Sequence, residues 1–152
     1  MASQTGANEN GRAPAPRLSD AAQAVLESMP ASIRKKAWFT MAHLMLDPGA
    51  RVLEIDCEDG AFVAAMAAMN PDIDFTGIDT SRKAIRKATD IYALPNLNFI
   101  TGDITENFVP ENGYHAIVNS FILHEIYSKN RCSERAVTDR LKRQFDLLAP
   151  GG

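Results

Sequence analysis

Arg51-Val52-Leu53-Glu54-Ile55-Asp56-Cys57-Glu58-Asp59-Gly60-Ala61-Phe62-Val63 is the stretch on which the fold turns. Residues 51–55 form a short apolar run with the length and residue types of a buried strand. An acidic loop follows. Gly60 then opens a helix that reaches about Met69, where Asn70-Pro71-Asp72 supplies a turn. Strand, short polar turn and helix in that order make the first half of a βαβ unit.

The alternation continues downstream. Residues 73–78 read as a second strand, 81–93 as a helix and 97–101 as a third strand. Residues 114–122 read as a fourth strand, and 133–148 as a last helix before Pro150-Gly151-Gly152. Strands separated by helices pair in parallel through right-handed crossovers, which predicts a doubly wound α/β sheet. Ligands of such sheets lie at the carboxyl ends of the strands, near the point where strand order reverses. The loops at that edge are 56–60, 79–81, 102–106 and 119–125.

Upstream the texture differs. Residues 1–17 are rich in Ala, Pro, Gly, Asn and Gln, and so cannot bury enough surface to offset their ordering entropy; a disordered tail is expected. Ser19-Asp20 signals a helix over 21–29, and Pro30 interrupts it. A second helix is expected over 32–46, with Ile33, Trp38, Met41, Met45 and Leu46 able to face a core. Asp47-Pro48-Gly49 closes it. The chain thus divides into a tail (1–17), N-terminal helices (18–47) and an α/β part (48–152).

The totals narrow the function. An apolar fraction of 45% and a charged fraction of 23% are ordinary for a globular domain. The net charge of −3 lacks the basic excess by which nucleic-acid binders hold phosphate. No apolar stretch approaches the roughly 20 residues of a membrane helix, and the N-terminus lacks the apolar run of a secretory signal. Cys57 and Cys132 have no CxxC spacing, so neither a disulfide framework nor a zinc site is expected. The expected partner is a small molecule in the cytoplasm, with no nucleic acid, membrane or assigned metal.

Five segments together resemble the class I S-adenosylmethionine-dependent methyltransferases. Residues 52–60 resemble the family's first motif, a strand running into an acidic residue and a glycine-rich turn. Gly77-Ile78-Asp79 is similar to the second strand with its terminal carboxylate. Asn98-Phe99-Ile100-Thr101-Gly102-Asp103-Ile104 is similar to the third strand and its loop, and residues 114–126 to the fourth strand. Leu147-Leu148-Ala149-Pro150-Gly151-Gly152 matches the turn that precedes the fifth. The resemblance covers Asp47 to the last residue. It implies a Rossmann-like sheet of seven strands, of which about four, mostly parallel, lie in this sequence; the chain is expected to stop before the fifth, leaving a fourth-strand edge open to self-association.

The resemblance also implies roles. Asp79 would hold the cofactor ribose, with Thr80 beside it, and helix capping before Ser81 is compatible with that. Glu54 would organise the methionine end through the loop containing Asp56, Cys57 and Gly60. Asp103 and Ile104 would edge the adenine, while Asn119 and Ser120 would line the floor near the reactive methyl, with Phe121 at its flank. The intact protein would transfer a methyl group to a small-molecule nucleophile by direct displacement, largely through alignment. Trp38 and Phe39 would belong to the acceptor pocket. His124 and Glu125 are adjacent in sequence and so point apart, which disfavours an acid–base pair. No catalytic residue is assigned.

One departure carries information. The family turn is small and rich in glycine, whereas Asp56, Glu58 and Asp59 stand here and only Gly60 remains. Aspartate tolerates a left-handed backbone moderately, and glutamate less well. The carboxylates would repel the pyrophosphate of a dinucleotide, which binds at this turn. They suit a cationic sulfonium and ammonium. The same acidity leaves open a methyltransferase-like scaffold that no longer catalyses, and offers oxygen ligands to a divalent cation.

Overall fold

The computed structural model describes residues 18–105, 112–120 and 122–152. The expected tail over 1–17, and the expectations placed on Glu106 and Phe121, fall outside them.

Three helix starts are written in serine. Ser19, Ser81 and Ser133 precede α1 (Asp20–Glu27), α4 (Arg82–Ile91) and α6 (Glu134–Phe145). Each hydroxyl accepts from the amide three residues on, at 3.2 Å. A cap of this kind satisfies an otherwise orphaned donor and contributes roughly 1 kcal/mol. α2 (Ala31–Ala42) starts behind Pro30, and its Arg34 donates to the carbonyls of Leu26, in the last turn of α1, and of Met29, just beyond it. α3 (Ala61–Met69) and α5 (Ile122–Lys129) are the remaining helices among the described residues.

β1 (Arg51–Ile55), β2 (Asp74–Asp79), β3 (Leu97–Thr101) and β4 (Ala116–Asn119) form a parallel sheet in the order β3-β2-β1-β4. The chain steps outward from β1 to β3 and then returns to the other side of β1. That reversal opens a crevice at the carboxyl end of β1. Glu54 pairs in register with Gly77 of β2 and Val118 of β4, in the centre of the sheet.

α3 fills the space between the sheet and the N-terminal helices. Its residues 61–68 are all buried, and alanines at 61, 64, 65, 67 and 68 let α1, α2 and the sheet approach closely. Asn96 locks the far end by donating its side-chain amide to the carbonyls of Ala67, Asn70 and Ile73. The opposite face of the sheet carries a smaller cluster of Leu53, Ile55, Ile78, Ile104, Tyr114 and Leu147.

Several expectations need correction. α2 ends at Ala42, and its core-facing stripe is the partly buried Ile33 and Met41 with the buried Ala37 between them, one turn apart on one face. Trp38 lies one residue off that stripe and is 66% exposed, while Met45 lies beyond the helix end and is fully exposed. The fourth strand covers only 116–119 of the expected 114–122, and residues 122–129 form a helix for which no element was expected. An apolar run of this length looks the same in a buried strand and in a helix turn, so periodicity alone could not separate them.

Candidate functional site

The crevice is shaped by an unusual bend. Asp56, Glu58 and Gly60 all have left-handed backbones, with φ of 56°, 50° and 75°. The strain costs roughly 1 kcal/mol at a residue with a Cβ. Glu58, the poorer candidate by residue type, nevertheless adopts this conformation because its amide is held. It donates to Asp79 Oδ2 at 2.9 Å, and the Cys57 amide donates to the Ile78 carbonyl at 3.1 Å. Asp79 Oδ1 accepts from the Ser81 amide at 2.8 Å. One carboxylate therefore ties the loop after β1 to the loop after β2.

Gly60 is required by packing rather than by a ligand. A Cβ there would stand 2.6 Å from the Phe99 ring and 2.8 Å from Ala88 Cβ. Gly60 does not line the crevice.

The crevice is a cleft of about 390 Å³. Glu54, Asp56, Cys57, Glu58, Asp59, Asp79 and Thr80 line it from the sheet edge. Ile33 and Lys36 of α2, Ala61 and Phe62 of α3, and Ser120, Glu125 and Lys129 form the other walls. Of the ten residues expected to bind a cofactor, Glu54, Asp56, Cys57, Asp79, Thr80 and Ser120 are thus brought together.

Glu54 is 1% exposed, and its Oε2 has no hydrogen-bond partner. Burial pushes its carboxyl up to about 8, with Lys36 and the Val63 amide opposing and Glu58 and Asp59 reinforcing. Burial likewise pushes the Cys57 thiol up, with the charges of Glu54 and Asp79 adding to the effect, so it is an inert wall rather than a nucleophile.

Lys36 is a site residue that sequence reasoning missed. Its ammonium lies 4.1 Å from the centre of the Phe62 ring and donates to Ser120 Oγ. Trp38 and Phe39, expected in the acceptor pocket, are exposed on α2 and do not line this cleft.

Apart from Gly60, the remaining expected residues are engaged by α6. Arg140 donates to Asp103 Oδ1 at 2.7 Å and to Asp56 Oδ2 at 3.2 Å. Burial pushes the Asp56 carboxyl up, Arg140 opposes, and Asp79 and Asp103 add to the rise. Burial would raise Asp103 too, but bonds from Thr105 and Arg140 hold it below the usual carboxylate range. Asn119 exchanges two amide hydrogen bonds with Gln144, at 2.8 and 2.9 Å. Ile104 is wholly buried in the smaller cluster. Asp103, Ile104 and Asn119 lie outside the cleft lining. Among the described residues no group of three acidic, histidine or cysteine side chains could hold a metal ion.

Comparison with known proteins bears on the fold and the family. Residues 46–151 match the model of a methyltransferase domain family. An uncharacterized methyltransferase of Mycobacterium bovis and its Mycobacterium tuberculosis counterpart are each 28% identical over 101 residues, covering 66% of this chain. The chain spans 46% of the length of those relatives. Among solved structures, a SAM-dependent methyltransferase from Geobacter sulfurreducens in complex with S-adenosyl-L-homocysteine superposes with a TM-score of 0.59 at 19% identity. That match covers 88% of this chain and 53% of the other. A TehB-like SAM-dependent methyltransferase from Corynebacterium glutamicum gives a TM-score of 0.57 at 16% identity, covering 86% and 64%. The structural likenesses speak for the α/β fold. The family match, which spans most of the chain, supplies the rest: this protein belongs to the methyltransferase domain family.

Proposed function

We propose that this chain binds S-adenosylmethionine in the cleft at the end of β1, and that the intact protein methylates a small-molecule acceptor. Glu54 carries the reading. A buried carboxylate with an unpartnered oxygen on a cleft wall is costly unless a cationic or hydrogen-bonding ligand completes it. Lys36 stands across from it with the opposite charge. Together the two fit the ammonium and carboxylate of an α-amino acid. Asp79, one strand over, can still accept ribose hydroxyls, since each carboxylate oxygen has two lone-pair sites and only one amide bond to each is present. S-adenosylmethionine, when bound, supplies an electrophilic methyl group on a sulfonium. This chain's residues orient it, keep water from its methionine end and match its charge.

Titration calorimetry of the full-length protein with S-adenosylmethionine tests the proposal. A cation beside Glu54 favours the ionised carboxyl, so binding at pH 7 is expected to release a proton, and the heat will vary with the ionisation enthalpy of the buffer. Affinity should rise with pH until about 8 and then level off. Glu54→Gln should weaken binding by about tenfold and abolish the proton release. No uptake of the cofactor by folded wild-type protein would overturn the assignment.

A further inference from the structure

α6 presents one polar face to the carboxyl edge of the sheet. Arg140, Arg143 and Gln144 are spaced i, i+3 and i+4 and so share that face. Arg143 Nε donates to the Ile104 carbonyl at 2.8 Å, and Gln144 pairs with Asn119. Arg140 differs from both in reaching two loops, bringing one cation to two carboxylates. Its side chain is only 13% exposed, where solvent and salt screen the contact weakly. Without it, Asp56 on the cleft wall and Asp103 just outside the lining would be left as uncompensated like charges. Asp56 is also the residue standing where the related turn is small.

We propose that Arg140 is a positioning residue for the cofactor. By neutralising Asp56 and tethering it to Asp103, it fixes the distance between the ends of β1 and β3 across which a nucleoside must fit. It thereby makes a carboxylate acceptable in a turn that otherwise favours glycine. The inference rests on the methyltransferase reading of the same cleft. Arginine suits the task because its planar fork serves two acceptors in a set geometry, which a lysine ammonium does not.

Binding of S-adenosyl-L-homocysteine to the full-length protein, followed by calorimetry, tests this. Arg140→Ala should weaken binding by about tenfold or more, and Arg140→Lys should fall between it and wild type. Adding Asp56→Gly to Arg140→Ala should bring affinity back to within about threefold of wild type, because the charge that needed compensation is gone and glycine accepts the left-handed backbone. A merely structural role for Arg140 would not be rescued by removing its partner. Melting temperatures identify folded variants; should Arg140→Ala fail to fold, Arg140→Lys and the double variant carry the comparison. Unchanged affinity in Arg140→Ala would overturn the proposal. Tighter binding would overturn it too, placing the guanidinium in the ligand's own room, as would a folded double variant with no recovery. Wild-type protein that binds no S-adenosyl-L-homocysteine sinks the reading of the cleft and this inference with it. Wild-type binding with an indifferent Arg140→Ala variant sinks this inference alone.

Discussion

Glu54 also writes a pH dependence into the stability of the protein. Its carboxyl titrates near 8 when folded, against an ordinary 4.5. The native state therefore holds a proton that the unfolded chain has released, and stability falls as pH rises from about 4.5 to about 8. Glu54→Gln, a neutral isostere, escapes the penalty. Without ligand, its melting temperature should match wild type near pH 4.5 and exceed it increasingly toward pH 8, where the gain is on the order of 4 kcal/mol. Parallel melting curves across that range check this, and a constant offset would contradict it. Glu54 was legible in the sequence because a carboxylate inside an apolar run demands a reason. Lys36 was not, since it follows Arg34 and Lys35 and reads as part of a solvated basic face. Only the packing of α2 on α3 brings it to Phe62. Arg140 lies 84 residues from Asp56 and 37 from Asp103, and no local pattern announces such a pairing.

At the scale of elements, punctuation decided what could be read. β1 and β3 are short apolar runs bounded by turn residues, and both were legible to the residue. The fourth strand was drawn too long, over 114–122, and α5 was not anticipated, because no glycine or proline follows Asn119 to mark the end of β4. β4 is also an edge. It pairs with β1 on one side; on the other, among the described residues, Tyr114 just before it meets Leu148 in a single bridge. Unpaired strand edges recruit other strands. The 152-residue chain expressed by itself is therefore expected to elute above monomer size in gel filtration, and a monodisperse monomer would contradict the expectation.

Across the whole molecule, the alternation of strand and helix was legible because handedness and parallel pairing leave few arrangements open. The N-terminal helices were less so, since α2 has no dominant apolar stripe to declare its inner face and its one tryptophan points outward. Their importance comes from α3, which is buried on all sides and keeps no polar flank for water. Deleting residues 1–47 should accordingly cost the sheet its cooperative unfolding transition, seen as a loss of the calorimetric peak; a sharp transition in the shortened chain would show that the sheet stands alone. An inner helix clad on every side makes wall and floor inseparable. Neither α1 nor α2 can swing aside to admit a ligand without baring the element that supports Glu54.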